Sequence, residues 1–346
     1  MGSLKQYSGL TTKIKAMRSR LISDEEYEKI IDFETVPEIA EYLKNRAGFK
    51  EVLDSVDTAS IHRETVEHAI VYSGYRQFDK IYKFASLEQR KYLKIHFMLY
   101  EVEMIKRAIR KSNSPYITKE QNQFIEQIFG KYSEINFEEL FKAMTFSEIV
   151  KGLEGSIYYE PLKQVLDLGG KEAFDYELTL DMFYFRYVWK KRRTYFKGSE
   201  LRAVSDIIGT EADILNLMWI YRAKKFYNMT QGQIAAMIIP IYHRVKKEQM
   251  IRLVETHDIA ELKTAIVNTK YGRFLTAESF DEMRMDKICK ELIKRIYDKY
   301  YRIEPYSMAV MSSYLRDKRE EMNKLITIVE CIRYGYKKDD IAKAIL

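Results

Sequence analysis

A short pattern of bulky residues occurs three times in this 346-residue chain, at steps of 110 and 113 residues. Bulky means apolar or aromatic. Each copy begins with one bulky residue, followed by any two residues and then by two adjacent bulky residues. Six further residues separate these from a Glu, which a last bulky residue follows directly. The copies are Tyr27, Ile30, Ile31, Glu38 and Ile39; Phe137, Leu140, Phe141, Glu148 and Ile149; and Met250, Leu253, Val254, Glu261 and Leu262. Repetition at a fixed period predicts that one structural module is used three times.

Two further landmarks keep the same order within the thirds. One is an acidic pair four residues apart, Glu177 with Asp181 and Glu282 with Asp286, for which the first third offers only Glu67. The other is an acidic residue followed by Met or Ile, in the order Glu103–Met104, Asp213–Ile214 and Glu321–Met322. The three landmarks together predict three lobes, at residues 1–113, 114–228 and 229–346.

The residue usage favours helices throughout. Five prolines and fourteen glycines are few for a chain of this length, which suits long helices better than turn-rich β-structure. In each third, the pattern predicts two or three short helices followed by two long ones. The long helices divide near Phe84–Ser86, Lys197–Ser199 and Ile303–Tyr306. We therefore predict an all-α fold.

The chain carries little that predicts a disulfide framework or a membrane span. Two cysteines, Cys289 and Cys331, favour a reducing compartment and small buried apolar roles. The longest uncharged stretch, from Phe226 to Tyr242, is interrupted by several polar residues and Pro240, so it does not predict a transmembrane helix. The amino terminus lacks the apolar stretch of a signal peptide.

No catalytic motif is visible in the sequence. Neither Gly130–Lys131 nor Gly170–Lys171 has the flanking residues of a phosphate-binding loop. The group His62, Glu64, Glu67 and His68 lacks the order of a helical zinc site, and the acidic pairs lack an accompanying histidine. The sequence therefore predicts no active site, no cofactor and no metal, with an all-α enzyme carrying a carboxylate site as a distant alternative.

The densest basic run follows Trp189 and consists of Lys190, Lys191, Arg192 and Arg193. The net charge of the whole chain is only +7, from 58 basic and 51 acidic residues. The run fits a solvated helix face beside a packed aromatic face. It also fits a docking patch for an acidic protein or lipid headgroups, and nucleic acid is a third possibility.

The segment from Glu211 to Tyr227, EADILNLMWIYRAKKFY, resembles the hallmark of the C subunit of prokaryotic V/A-type ATPases. That family is the counterpart of the eukaryotic vacuolar d subunit. Its motif has an acidic residue, Ile, Asn and Leu, followed by an apolar turn and a basic residue, which match Asp213, Ile214, Asn216, Leu217 and Arg222. The segment from Lys13 to Arg18 is similar to the family's opening helix. The chain departs from the motif in its outer thirds, where lysines stand in place of Asn, at Lys106 and Lys324.

This resemblance implies a funnel of three similar helical lobes around a pseudo-threefold axis. It implies a non-catalytic rotor coupling subunit that transmits torque for ATP-driven ion transport or ATP synthesis. The implied partners are central-shaft subunits of the D and F type and the membrane proteolipid rotor ring, at the cytoplasmic face of the membrane and without nucleic acid. A helical-repeat scaffold that binds acidic partners or RNA is the alternative, because of the basic excess and the many aromatic residues.

Five residues of the repeated motif are the candidate functional residues: Glu103, Asp213, Asn216, Arg222 and Glu321. Two roles are open for them. They either cap helices and form salt bridges that hold the module together, or they contact partner subunits.

Overall fold

The computed structural model describes residues 2–54, 56–58, 61–112, 130–275, 280 and 282–345, without the side chains of residues 2, 3 and 282–284. In these ranges the regular elements are α-helices, and no described residue lies in a β-strand. The predicted all-α fold class is confirmed.

In the described residues, the first two thirds have the same order of helices, three short and then two long. An N-terminal helix, α1 (Gly2–Arg18), precedes them. The first third contains α2 (Asp24–Ile30), α3 (Val36–Lys44), α4 (Lys50–Leu53), α5 (Arg63–Phe84) and α6 (Leu87–Lys111). The second third contains α7 (Phe137–Lys142), α8 (Phe146–Gly152), α9 (Tyr159–Asp167), α10 (Ala173–Tyr195) and α11 (Gly198–Phe226).

In the described residues of the last third, two short helices precede the two long ones, and a further helix lies at each end. This third contains α12 (Gln231–Met237), α13 (Lys247–Glu255), α14 (Ile259–Val267), α15 (Glu282–Ile303), α16 (Met308–Arg333) and α17 (Lys338–Ile345). The long helices of all three thirds divide at the predicted joints. In the second third the two long helices, α10 and α11, pack against each other and form a helical hairpin.

The Glu of the repeated pattern starts the second short helix of each third. The three residues are Glu38 in α3, Glu148 in α8 and Glu261 in α14, and the N-caps are Thr35, Thr145 and Asp258. Each Glu carboxylate accepts a hydrogen bond from the backbone N–H four residues earlier, at 2.8, 2.7 and 2.7 Å respectively. Amide hydrogens at a helix start have no partner inside the helix, so this arrangement stabilises the start. The bulky residues of all three copies are buried.

The described chain divides into two compact units. One contains the described residues of 1–93, the short stretch 130–133 and residues 305–345, and the other contains residues 94–112 and the described residues of 134–304. The first unit therefore joins most of the first third to the end of the last third. The division into lobes at residues 113 and 228 and the funnel arrangement stay predictions.

In the first unit, the short helices of the first third pack on a helix of the last third. Ile30, Ile39 and Leu43 share one apolar core with Leu325 and Ile328 of α16, and all five side chains are at most 1% exposed. The helix α5 also packs along α16. Thus α16, the second long helix of the last third, covers the short helices of the first.

The second unit shows the same arrangement between the second third and the last third. Leu217 and Tyr221 of α11 pack with Leu253 of α13 and Leu262 of α14 in one core. The helix α11 also packs along α15. The second long helix of one third therefore serves as the packing surface for the short helices of the next, so the packed module is offset from the repeat in the sequence.

Candidate functional site

The most buried polar group of the second unit surrounds Asp213, whose side chain is inaccessible to solvent. One carboxylate oxygen accepts a hydrogen bond from the backbone N–H of His243 at 3.2 Å. The other accepts from the backbone N–H groups of Arg244 at 2.6 Å and Val245 at 3.1 Å, and from the Tyr271 hydroxyl at 3.1 Å. We call Asp213, Asn216, Tyr271 and the segment 239–245 the Asp213 cluster.

Asn216 holds the other end of the same segment. Its side-chain Nδ2 donates to the carbonyl of Ile239 at 2.9 Å, and its Oδ1 accepts from the N–H of Ile239 at 2.9 Å. A side-chain amide is suited to this role because it offers one donor and one acceptor to a single backbone residue. Asp213 and Asn216 are three residues apart on α11, so they lie on one face of the helix.

The segment 239–245 needs these partners because it is not helical. Buried backbone N–H and C=O groups cost free energy when they have no hydrogen bond. The segment leads directly into α13, whose N-cap is Lys246. Asp213 and Asn216 therefore fix the path by which the chain enters the last third.

Asp206 holds the outer side of the same segment. Its carboxylate contacts His243 Nε2 at 2.7 Å, a guanidinium nitrogen of Arg244 at 2.9 Å and the Tyr300 hydroxyl at 2.9 Å, with Lys299 Nζ at 3.2 Å. Burial alone would raise the pKa of Asp206, but hydrogen bonds from His243, Arg244 and Tyr300 outweigh it and bring the pKa well below its usual range.

Glu321 has the corresponding position in the first unit. Its carboxylate accepts a hydrogen bond from the backbone N–H of Ile22 at 2.8 Å and forms a buried ion pair with Lys318. Ile22 precedes Ser23, the N-cap of α2, as Val245 precedes the N-cap of α13. Glu321 and Asp213 thus make the same connection, from the second long helix of one third to the entry of the next.

Glu103 does not make this connection. Half of its side chain is exposed, and its nearest cations are Arg107 at 3.7 Å and Arg110 at 3.8 Å. Two residues earlier, Glu101 accepts a hydrogen bond from the Tyr158 hydroxyl at 2.7 Å, as Asp213 does from Tyr271. Glu101 is therefore the counterpart of Asp213 that the fixed spacing missed.

A sequence signal for this register was available. Tyr158 and Tyr271 each follow the Glu of the repeated pattern by ten residues. Both tyrosines are buried, and each donates its hydroxyl to a carboxylate 57 or 58 residues earlier, Glu101 or Asp213.

The acidic pairs and Arg222 form ion pairs between helices of the second unit. Arg110 binds Glu177 with two nitrogens at 2.7 and 2.8 Å, and the Lys106 ammonium lies 2.6 Å from Asp181. Arg222 pairs with Asp286 of α15. The side chain of Glu282 lies outside the described residues. These contacts link α6 to α10 and α11 to α15. Because Arg222 pairs with a residue of α15 and not with the segment 239–245, it is not part of the Asp213 cluster.

The basic run does not form one surface. Arg192 is 6% exposed; its guanidinium carbon lies 3.3 Å from the centre of the Trp189 ring, and its Nε donates to Ser205 Oγ at 3.0 Å. Burial lowers the pKa of Arg192 to about 10, which leaves it charged at neutral pH. Lys191 is half-buried, whereas Lys190 and Arg193 are exposed. Two of the four cations are therefore fully available to a partner.

Comparison with known proteins gives the family. The sequence pattern of the ATP synthase (C/AC39) subunit matches residues 10–344, nearly the whole chain. The chain belongs to the ATP synthase (C/AC39) subunit family. This confirms the resemblance to the C subunit of V/A-type ATPases, and it makes the chain a component of such a complex.

Similar proteins of this family occur in archaea and have the same length range. The C subunit of the A-type ATP synthase of Pyrococcus abyssi is 25% identical over 350 residues, covering 98% of this chain and 90% of that protein. The C subunit of the Archaeoglobus fulgidus A-type ATP synthase is 23% identical, covering 99% and 96%. That of Thermococcus kodakarensis is 22% identical, covering 97% and 89%.

Membrane spans and metal sites are both absent from the described part of this family member. None of the helices there is long and apolar enough to cross a membrane. The His, Cys, Asp and Glu side chains of the same residues include no group of three that could hold a metal ion.

We expect the Asp206 contacts to stabilise the fold only above acidic pH. A carboxyl group whose pKa is lower in the folded state stabilises it fully above the unfolded pKa, about 3.9, and this contribution is lost as the pH falls through the folded pKa. The destabilisation caused by Asp206→Asn should therefore be fully present at pH 5 and shrink below about pH 4. Urea unfolding at pH 5, 4 and 3 measures it. A difference that grows between pH 5 and pH 3 would contradict this assignment.

Substitutions within the basic run should have unequal effects. Arg192→Glu removes the contact with Trp189 and places a carboxylate in a buried position, so we expect a loss of about 2–4 kcal/mol in the free energy of unfolding. The double variant Lys190→Glu/Arg193→Glu changes exposed residues and should stay within about 0.5 kcal/mol. Urea unfolding monitored by circular dichroism compares the two. Equal losses would show that Arg192 has no special structural role.

Proposed function

We propose that this chain is a non-catalytic rotor coupling subunit that links the central shaft to the membrane rotor ring. In this role it transmits torque during ATP-driven ion transport or ATP synthesis, at the cytoplasmic face of the membrane. The proposed partners are shaft subunits of the D and F type and the proteolipid ring.

The observation that carries the proposal is the threefold repetition of one helical plan. Each third provides short helices followed by two long ones. Three similar modules in one chain can present three similar faces, which suits a ring whose subunits repeat around an axis. The arrangement of the three lobes as a funnel around such an axis is part of this proposal.

The use of buried polar groups also supports a mechanical role. Asp213, Asn216 and Glu321 bind backbone groups at the entry to the next third, and ion pairs join neighbouring long helices. Such contacts are directional and resist displacement of one helix against another. A body that transmits torque needs this internal stiffness, whereas a catalytic site needs polar groups that are open to a substrate.

Affinity purification from detergent-solubilised membranes tests the proposed partners. The tagged full-length chain should bring down both the proteolipid ring and the shaft subunits. In membranes whose complex lacks the chain, ATP hydrolysis should persist while ATP-driven ion transport is lost, because rotation no longer reaches the ring. Adding back the chain should restore transport, which controls for indirect damage.

Three results would count against the coupling role. The first is transport at normal rates without the chain. The second is purification of the chain with stationary subunits only. The third is salt-sensitive RNA binding by the isolated chain in a mobility-shift assay, which would favour the helical-repeat scaffold instead.

A further inference from the structure

The positive charge of this chain is concentrated around the turn between α10 and α11. Residues 186–205 contain seven basic residues and one acidic residue, a net charge of +6, against +7 for the whole chain. The next acidic residue, Asp206, is already held by His243, Arg244 and Lys299. The rest of the chain is therefore close to neutral, and residues 186–205 carry the excess.

Three of these cations form a row on one face of α10. Arg186, Lys190 and Arg193 are all exposed and are spaced by four and three residues, which places them on the same side of a helix. The row is about 10 Å long at the backbone, from a rise of about 1.5 Å per residue. We call these three residues the α10 stripe. Lys197 and Arg202, both exposed, continue the positive charge at the end of the hairpin.

The fold itself gives no reason for the α10 stripe. None of its three residues forms an ion pair with a described acidic side chain. The helix dipole favours cations in the last turn of a helix, which accounts for Arg193 but not for Arg186, more than two turns from the end. Like charges at this spacing repel one another in the free protein, so a partner of opposite charge would relieve that repulsion.

The surroundings of the α10 stripe distinguish a protein partner from a membrane. Elements that lie on a bilayer combine cations with exposed apolar or aromatic side chains that enter the lipid. Between residues 186 and 205 the exposed positions are all polar or glycine. The aromatic residues Tyr187, Trp189 and Tyr195 are half-buried, and Phe196 is buried. A narrow, straight row of cations matches acidic residues spaced along another helix.

We propose that the α10 stripe docks an acidic helical segment of a partner protein, with carboxylates three or four residues apart. This inference rests on the place of the chain in a multisubunit complex, but not on which coupling role it has there. Three exposed ion pairs would change affinity by roughly 10–100-fold in total, with a strong dependence on salt.

Site-specific photocrosslinking in the assembled complex tests the proposal. A benzophenone amino acid replaces Lys190 in the full-length chain, and the crosslinked segment is identified by mass spectrometry. The control position is Lys290, the middle of three exposed lysines at similar spacing on α15, Lys287, Lys290 and Lys294. That control row has Glu291 exposed beside it, so its charge is partly balanced.

The expected result is a crosslink from position 190, but not from 290, to a segment with carboxylates at helical spacing. The triple variant Arg186→Glu/Lys190→Glu/Arg193→Glu should weaken retention of that partner by roughly 10–100-fold at low salt. The matched variant Lys287→Glu/Lys290→Glu/Lys294→Glu should leave it unchanged. Circular dichroism verifies folding, and the single variant Lys190→Glu replaces the triple variant if the latter does not fold.

A crosslink to lipid, to nucleic acid or to a segment without acidic residues would overturn the proposal, as would no crosslink above the control. Failure of the coupling role would be seen separately. In that case the ring or shaft would be missing from the purified complex, while the crosslink to an acidic segment would persist.

Discussion

Asp213→Ala should lower the free energy of unfolding by roughly 3–5 kcal/mol, since each buried donor left without an acceptor costs about 1–3 kcal/mol. The variant leaves three backbone N–H groups, at residues 243–245, and the Tyr271 hydroxyl without their common acceptor. Water that enters the site and local movement of the chain would satisfy some of these donors, so the expected loss is smaller than the sum of their separate costs. Urea unfolding monitored by circular dichroism measures the loss.

Glu103→Ala is the matched control, because Glu103 is the acidic residue one repeat earlier and its side chain is half exposed. We expect it to change stability by less than about 0.5 kcal/mol.

The thiol of Cys289, buried in the core that α11 shares with the last third, gives a second measurement. Burial raises the pKa of this thiol to about 12, so its labelling at pH 8 requires opening of the core. In a Cys331→Ser background, Asp213→Ala should accelerate that labelling. Equal stability of both alanine variants would refute the role given to Asp213.

Lys318→Met should be similarly destabilising, by about 3–5 kcal/mol, because it leaves Glu321 charged and buried without its partner. Both side chains of this ion pair are 3% exposed. The Lys318 ammonium also lies 4.4 Å from the centre of the Phe49 ring, which adds a cation–π contact. The double variant Lys318→Met/Glu321→Gln removes both charges and keeps an acceptor for the N–H of Ile22, so it should recover much of the loss.

Equilibrium unfolding of the two single variants and the double variant gives the coupling free energy of the pair. Additive losses would mean that Lys318 and Glu321 act independently. Lys324→Met, on the same helix but half-buried, serves as a control that should cost much less.

Much of the local structure was predictable from the sequence. The repeated pattern predicted buried bulky residues and a shared position for Glu38, Glu148 and Glu261, and each of these residues helps to start a helix. The breaks between the long helices were also predicted. These features depend on residues within a few positions of each other, so a single sequence contains the information needed to place them.

The register of the carboxylates that bind the buried tyrosines was not predictable from fixed spacing. Glu103 and Glu101 are both acidic residues of α6, and only the position of Tyr158 decides which one accepts its hydrogen bond. The basic run poses the same problem, because adjacent residues on a helix point in different directions: Arg192 faces Trp189, whereas Lys190 and Arg193 face solvent. Such choices depend on what lies opposite each helix face.

The all-α class, the order of the helices and the family follow from the sequence alone. The packing partners do not, because the short helices of the first and last thirds are each covered by a long helix from another third. Within the first unit, α16 packs on helices that begin about 300 residues earlier in the chain. The hydrogen bond from the backbone N–H of Ile22 to Glu321, for example, joins residues 299 positions apart. The hydrophobic effect has no direction, so an apolar helix face does not specify which other face will cover it. Contacts between residues far apart in the chain form only when the whole core assembles.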